Sequence, residues 1–280
     1  MERDTVKKIA KKWYDLIPFP EKFDEEFDRL LEEENDLECM RFEEYDIKQN
    51  APLKGKNLIM FLYFCEELSQ RYDAAGISRD ILMATLEDFL PSVERNKNLT
   101  GKIGVVRAGV LANHLSMRLF RLGRIAFCMD EAPMDIPSKG IKKGDNVLDL
   151  HVPAGGPLTM EECEKSFVAS ERFFKKHFPD FEYQYYTCYS WMLDDVIKPF
   201  LNENSNILQF AKLFEVVHQT EQDSILNFLF KYGLADREEI RDCPANSSFA
   251  RKVKEHALSG GVFHNVLGLK DRNTIKLERK

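Results

Sequence analysis

The sequence predicts an α/β protein of the α+β kind built in two parts, a helical amino-terminal part and a carboxy-terminal part in which strands alternate with helices. Three observations carry this expectation. The 280 residues are about twice the roughly 150 expected of one domain. Apolar residues recur at the 3.6-residue spacing of helices over the first ~120 positions. Beyond Arg121 the pattern changes to short apolar runs bounded by Gly, Pro and Asp, which is how strands and their turns read. The boundary is placed accordingly, with 1–120 as one domain and 121–280 as the other.

In the first part Val6, Ile9, Ala10, Trp13, Tyr14 and Ile17 form one helical stripe, with Thr5 as an acceptable cap and Pro18 and Pro20 as breakers. Phe23, Phe27, Leu30 and Leu31 resume the spacing on a chain dense in Asp and Glu, whose polar face reads as solvated surface. Asn57 to Tyr72 is the next helix. Ile77, Ile81, Leu82, Leu86, Phe89 and Leu90 form another, ended by Pro91 and paired antiparallel with it about Gly76. Leu111, Leu115, Leu119 and Leu122 mark one more.

In the second part Ile125 to Met129 reads as a strand, Glu131 to Asp145 as a loop and Val147 to Val152 as a second strand. Pro153, Ala154, Gly155, Gly156 and Pro157 stop that strand. Thr159 and Glu162 then have the spacing of a capping box, and Cys163, Phe167, Ser170 and Phe174 follow at helical spacing up to His177. Glu182 to Ser190, dense in Tyr, is read as a strand, Met192 to Leu201 as a short helix and Ile207 to Val217 as a further strand. Ser247 to Leu258 is helical, Gly260 and Gly261 form a hinge or cap, and the charged tail from Lys270 to Lys280 is expected to fray.

Composition narrows the function classes. With 44% hydrophobic and 31% charged residues the chain can bury a real core. Its formal charge of -7 gives no global field for nucleic acid. The longest apolar run, Leu58 to Cys65, is far short of the ~20 residues that span a bilayer, and Met1 to Lys12 lacks the apolar core of an export signal. A cytoplasmic protein with no membrane and no nucleic-acid partner is expected. Its six cysteines lack a C-x-x-C pair, and His218, His256 and His264 share no ligand spacing with an acidic partner, so neither disulfides nor a metal are expected.

The sharpest chemical element runs from His151 through Val152, Pro153, Ala154, Gly155, Gly156, Pro157 and Leu158 to Thr159. A strand that passes through a glycine pair into a capped helix lets backbone come close to an anion, and free N–H groups and the positive helix end attract it. The same turn also serves as a plain connection in which the glycines only supply positive φ angles.

This turn, together with Leu122-Gly123-Arg124-Ile125, Cys188-Tyr189-Ser190-Trp191 and Ser205-Asn206-Ile207, resembles the GNAT-type acyltransferases. More closely, it resembles a two-part bacterial family with a helical N-acyltransferase amino-terminal domain and a GNAT-like carboxy-terminal domain. The resemblance covers most of the chain. It implies a mixed sheet in which two adjacent parallel strands, here Val147 to Val152 and Glu182 to Ser190, splay apart around the pantetheine arm of acyl-CoA, with its pyrophosphate on the following helix start. It further implies transfer of an acyl group, acetyl first, from acetyl-CoA or another acyl-CoA to an amine on a small molecule or peptide, with Val152, Ala154, Gly155, Gly156, Thr159 and Cys188 about the cofactor. The phosphate signature departs from the usual Q/R-x-x-G-x-G/A because the glycines are adjacent and Pro157 removes a donor.

Acyl transfer to an amine needs a deprotonated nucleophile, donors for the oxyanion and an acid for the leaving thiolate. Histidine is the side-chain type suited to proton transfer at neutral pH, and His151 shares a strand face with Asp149 by alternation, which makes the pair a candidate base; a packed histidine satisfied by backbone is an equal reading. Tyr189 and Ser190, at the end of the next strand, are the candidate acids, and alternation lets only one of them face the cofactor. Cys188 reads as a nucleophile or, more commonly for a lone cysteine in a strand, as a small buried apolar residue. His114, with Asn113 and Arg118, is a weaker candidate from the first domain. A catalytically silent acyl-CoA-binding or partner-binding module is the competing class, because fold does not fix function.

Overall fold

The computed structural model describes residues 2–231, 233–234 and 236–276. The chain divides into two compact units, Met1–Leu122 and Gly123–Lys280. Helices α1 (Glu2–Leu16), α2 (Asp24–Glu33), α3 (Ile47–Asn50), α4 (Lys54–Ala74), α5 (Arg79–Leu86), α6 (Phe89–Thr100) and α7 (Ala108–Leu115) make up most of the first unit. Its axis is α4, which buries residues on every side from Asn57 to Leu62 and again at Phe64, Cys65, Leu68 and Tyr72. The apolar stripe of α1 buries Val6, Ala10, Trp13 and Tyr14, and the Trp13 indole N–H donates to Glu66 on α4 at 2.8 Å.

Three sequence expectations for this unit are corrected. Thr5 lies inside α1 rather than capping it. Pro91 does not end a helix: it is the third residue of α6, within the first turn, where the missing N–H has no helical partner to lose. Leu119 and Leu122 are not helical either. Helix α7 ends because Met117 turns left-handed at φ +56°, and Leu119–Leu122 continues as strand β1, with Leu119, Phe120 and Leu122 buried.

The second unit holds strands β2 (Ile125–Glu131), β3 (Asn146–His151), β4 (Tyr185–Ser190), β5 (Glu215–Glu221) and β6 (His264–Asp271). Its helices are α8 (Met160–His177), α9 (Asn206–Ala211), α10 (Ser224–Leu229) and α11 (Ser248–Leu258). These five strands lie in one mixed sheet in the order β2-β3-β4-β6-β5, with β3 and β4 parallel and the neighbours β2, β6 and β5 antiparallel. One face of this sheet packs on α8, where Phe127, Phe167 and Tyr186 meet edge to face.

The expected strand Ile207 to Val217 divides into two elements. The Ser205 hydroxyl accepts the Ile207 N–H and starts α9, so a local cap overrides the β-rich composition, and the strand begins only at Glu215. The expected helix Met192 to Leu201 is two 3₁₀ stretches, Trp191–Leu193 and Asp195–Phe200. Strand β6 has no counterpart among the expected elements, and it takes in Lys270 and Asp271 from the tail expected to fray; residues 277–280 lie outside the described residues. Its Gly268 faces a crowded wall, because a Cβ there would come within 2.6 Å of Leu193 and 2.7 Å of Phe214.

Candidate active site

The site grows out of one interruption in the sheet. Strands β3 and β4 pair only at Leu148 with Tyr186 and at Asp149 with Thr187, although β3 runs on to His151 and β4 to Ser190. At the last pair Thr187 Oγ1 donates to Asp149 Oδ1 at 2.7 Å, and beyond this clasp the two strands leave each other's hydrogen-bonding range.

Register assigns the faces. Asp149 and His151 share one side of β3, as alternation predicts, and His151 Nε2 lies 3.4 Å from Asp149 Oδ2. Thr187 and Tyr189 lie on the same face from β4, while Cys188 and Ser190 point to the α8 side. A cavity of about 360 Å³ opens on the first face, lined among others by Asp130, Asp149, Thr187, Tyr189, His218 and Leu267. Tyr189 is 45% exposed, which leaves its phenol reachable. The Ser190 hydroxyl is occupied as a cap, accepting the Met192 N–H at 3.2 Å.

Cys188 is 1% exposed, and burial, with Asp149 adding to it, pushes its thiol far above the usual cysteine range. A thiol held protonated in the core is a poor nucleophile, and of the two readings of Cys188 its burial agrees with the commoner one, a small buried apolar residue. Of the first-unit candidates, His114 is buried, with its ring against Phe89 and Nε2 3.4 Å from Asp88. Among the described residues no group of three or more His, Cys, Asp or Glu side chains is placed to hold a metal.

The turn after β3 has the local features its sequence promised. Gly155 and Gly156 take φ of +82° and +70°, values that L side chains resist, and Ala154, Gly155, Gly156 and Pro157 are exposed. Thr159 caps α8 by accepting the Glu162 N–H at 3.3 Å, which is half of the expected capping box; the Glu162 carboxylate instead meets Lys165 at 2.8 Å. Val152 leads into the turn, half-buried. Sequence reasoning misses Arg124, Thr187, Asp130 and His218. Two of them have a signal: Arg124 lies in one of the motifs that carry the resemblance, and Thr187, two residues before Tyr189, lies on its face.

Burial raises the Asp149 carboxyl above its ordinary value of 3.8, with the Asp130 charge adding to this and His151 and Thr187 opposing it. The folded state therefore holds the Asp149 proton more tightly than the unfolded chain. This group's favourable contribution is complete below pH 3.8 and is lost as pH rises through the raised value. Asp149→Asn removes the titration, so its melting temperature relative to the unaltered chain should climb as pH rises above about 3.8 and level off once pH has passed the raised value. Parallel melting curves across that range would contradict the assignment.

Residues 119–270 match the GNAT-like C-terminal domain and residues 2–117 the N-acyltransferase N-terminal domain, so the chain belongs to this two-domain GNAT-like acyltransferase family. Among solved structures it is similar to an acyltransferase in complex with decanoyl-CoA and teicoplanin, at 26% identity and a TM-score of 0.68, over 81% of this chain and 69% of that one. A mutant acyltransferase in complex with octanoyl-CoA is similar to the same extent, at 26% identity, a TM-score of 0.68 and the same 81% and 69% coverage. No curated protein matches the chain in sequence. Among the described residues no helix is long and apolar enough to cross a membrane.

Proposed function

We propose that the chain transfers a medium-length acyl group from acyl-CoA to an amine on a peptide-like acceptor. The observation that carries this is the parallel β3–β4 ladder that stops at Asp149 and Thr187 directly before a Gly-Gly turn and a capped helix. In this reading the pantetheine arm lies in the opening between the strands, and the phosphates lie on the amides of Ala154, Gly155 and Gly156 and the α8 start. Asp149 and His151 take the proton from the attacking amine, and Tyr189 protonates the departing thiolate. The acetyl group first expected gives way to a medium chain because the similar structures hold octanoyl-CoA and decanoyl-CoA, and the one that holds teicoplanin supports a glycopeptide-like acceptor. Residues 1–120 and 121–280 are assigned to the two domains, and a cytoplasmic location belongs to the same proposal, with all six cysteines free thiols.

Thiol release from decanoyl-, octanoyl- and acetyl-CoA, measured with a panel of amines and an amino-glycopeptide, tests this. Acceptor-dependent release that is fastest with the longer chains is expected. Saturable acyl-CoA binding with no release for any acceptor would favour the silent binding module instead.

A further inference from the structure

The geometry points to Arg124 as a positioning residue for the acyl-CoA phosphates, a guanidinium lock that fixes which way the 153–157 turn presents its amides. The proposal rests on the acyl-CoA reading above. It begins with the backbone of Arg124, which is tied to α8. Gly123 before it has φ +83°, and a Cβ there would approach Ser166 Oγ to 2.9 Å. That same hydroxyl accepts the Arg124 N–H at 2.9 Å and donates to Glu162 O at 2.8 Å, within the opening turns of α8.

From this anchor the side chain reaches across to the turn some 30 residues later. Nη1 donates to Pro153 O at 2.8 Å, Nε to Pro157 O at 3.2 Å and Nη2 to Gly156 O at 3.3 Å. Only the planar fork of an arginine supplies three donors in this fan. The consequence follows from peptide geometry. The described bonds are all trans, so each C=O points opposite to the N–H of the same peptide unit. With the carbonyls of Pro153 and Pro157 drawn toward Arg124, the N–H groups of Ala154 and Leu158 are turned away from it. These two, like Gly155 and Gly156, donate to no acceptor among the described residues. Arg124 thus spends its donors on the carbonyl side and leaves the amide side of the turn for an anion, while its charge adds to the positive field there.

Arg124→Lys keeps the stem and the charge and loses the fork; Arg124→Ala loses both. Each is compared with the unaltered chain for binding of decanoyl-CoA, for binding of S-decanoyl-pantetheine, which has no phosphates, and for the KM and kcat of thiol release. Both variants should weaken decanoyl-CoA binding and raise KM by roughly tenfold or more, with kcat at saturation little changed and S-decanoyl-pantetheine binding unaltered. A merely structural role would weaken both ligands together, and that result overturns the proposal. So does Arg124→Lys binding decanoyl-CoA as the unaltered chain does, and this variant carries the test should Arg124→Ala fail to fold. An unaltered chain that binds neither acyl-CoA nor CoA overturns the acyl-CoA reading and this proposal with it.

Discussion

Glu171→Ala is expected to destabilise the second unit by about 3 kcal/mol, the lower end of the range for breaking a buried charge pair. Glu171 is 7% exposed on the inner face of α8, and its carboxylate accepts from Arg272 Nε at 2.9 and 3.0 Å, from the Tyr183 hydroxyl at 2.9 Å and from the Tyr186 hydroxyl at 2.7 Å. Removing it takes the carboxylate from one guanidinium and two phenols at once, although the Tyr186 hydroxyl keeps Ser170 Oγ at 2.8 Å and Arg272 Nη1 still donates to Tyr183 O at 3.3 Å. The lower end applies because Arg272 keeps a third of its side chain in solvent and is partly rescued by water. For a unit of this size the melting temperature should fall by roughly 6–12 °C, and Glu171→Gln, which retains an acceptor, should fall by less. A loss of under about 1 kcal/mol in urea unfolding would show that the cluster is not a stabilising joint.

The second large effect is on turnover. His151→Ala and Tyr189→Phe should each lower kcat by ~100-fold or more with acyl-CoA affinity nearly unchanged. Both side chains lie on the cavity side of the sheet, and neither belongs to the 153–157 turn on which the phosphates are placed. Ser190→Ala, by contrast, should leave kcat within a few-fold, because that hydroxyl caps Met192 from the other face. Near-normal kcat in both His151→Ala and Tyr189→Phe would remove them from the chemistry.

The parts of the site that are legible in the sequence are those set by neighbours along the chain. Gly155 and Gly156 at positive φ, the Thr159 cap and the Phe167 and Phe174 stripe lie within some twenty residues, and the 3.4 Å contact of His151 with Asp149 follows from the pleat alone. What is not legible depends on pairing across long separations. Thr187 reaches Asp149 over 38 positions and Arg124 reaches Pro153 over 29, and no local pattern announces either contact. Strand β6 is hidden for the same reason: its fit between β4 and β5 is decided by close packing at Gly268, a residue that by itself weakens a strand. Leu119 and Leu122 mislead because they continue a helical spacing that Met117 breaks through its backbone.

Titration calorimetry with decanoyl-CoA, on the unaltered chain and on Gly155→Val, tests the central claim most directly. A Cβ at Gly155 meets nothing within 4 Å, so the substitution acts through the φ of +82° that valine resists, and it should distort the turn while sparing the core. The account predicts saturable binding of one decanoyl-CoA per chain and a loss of at least roughly tenfold in Gly155→Val, with its melting temperature close to that of the unaltered chain. Equal affinity in the two folded proteins, or no binding by the unaltered chain, would contradict it.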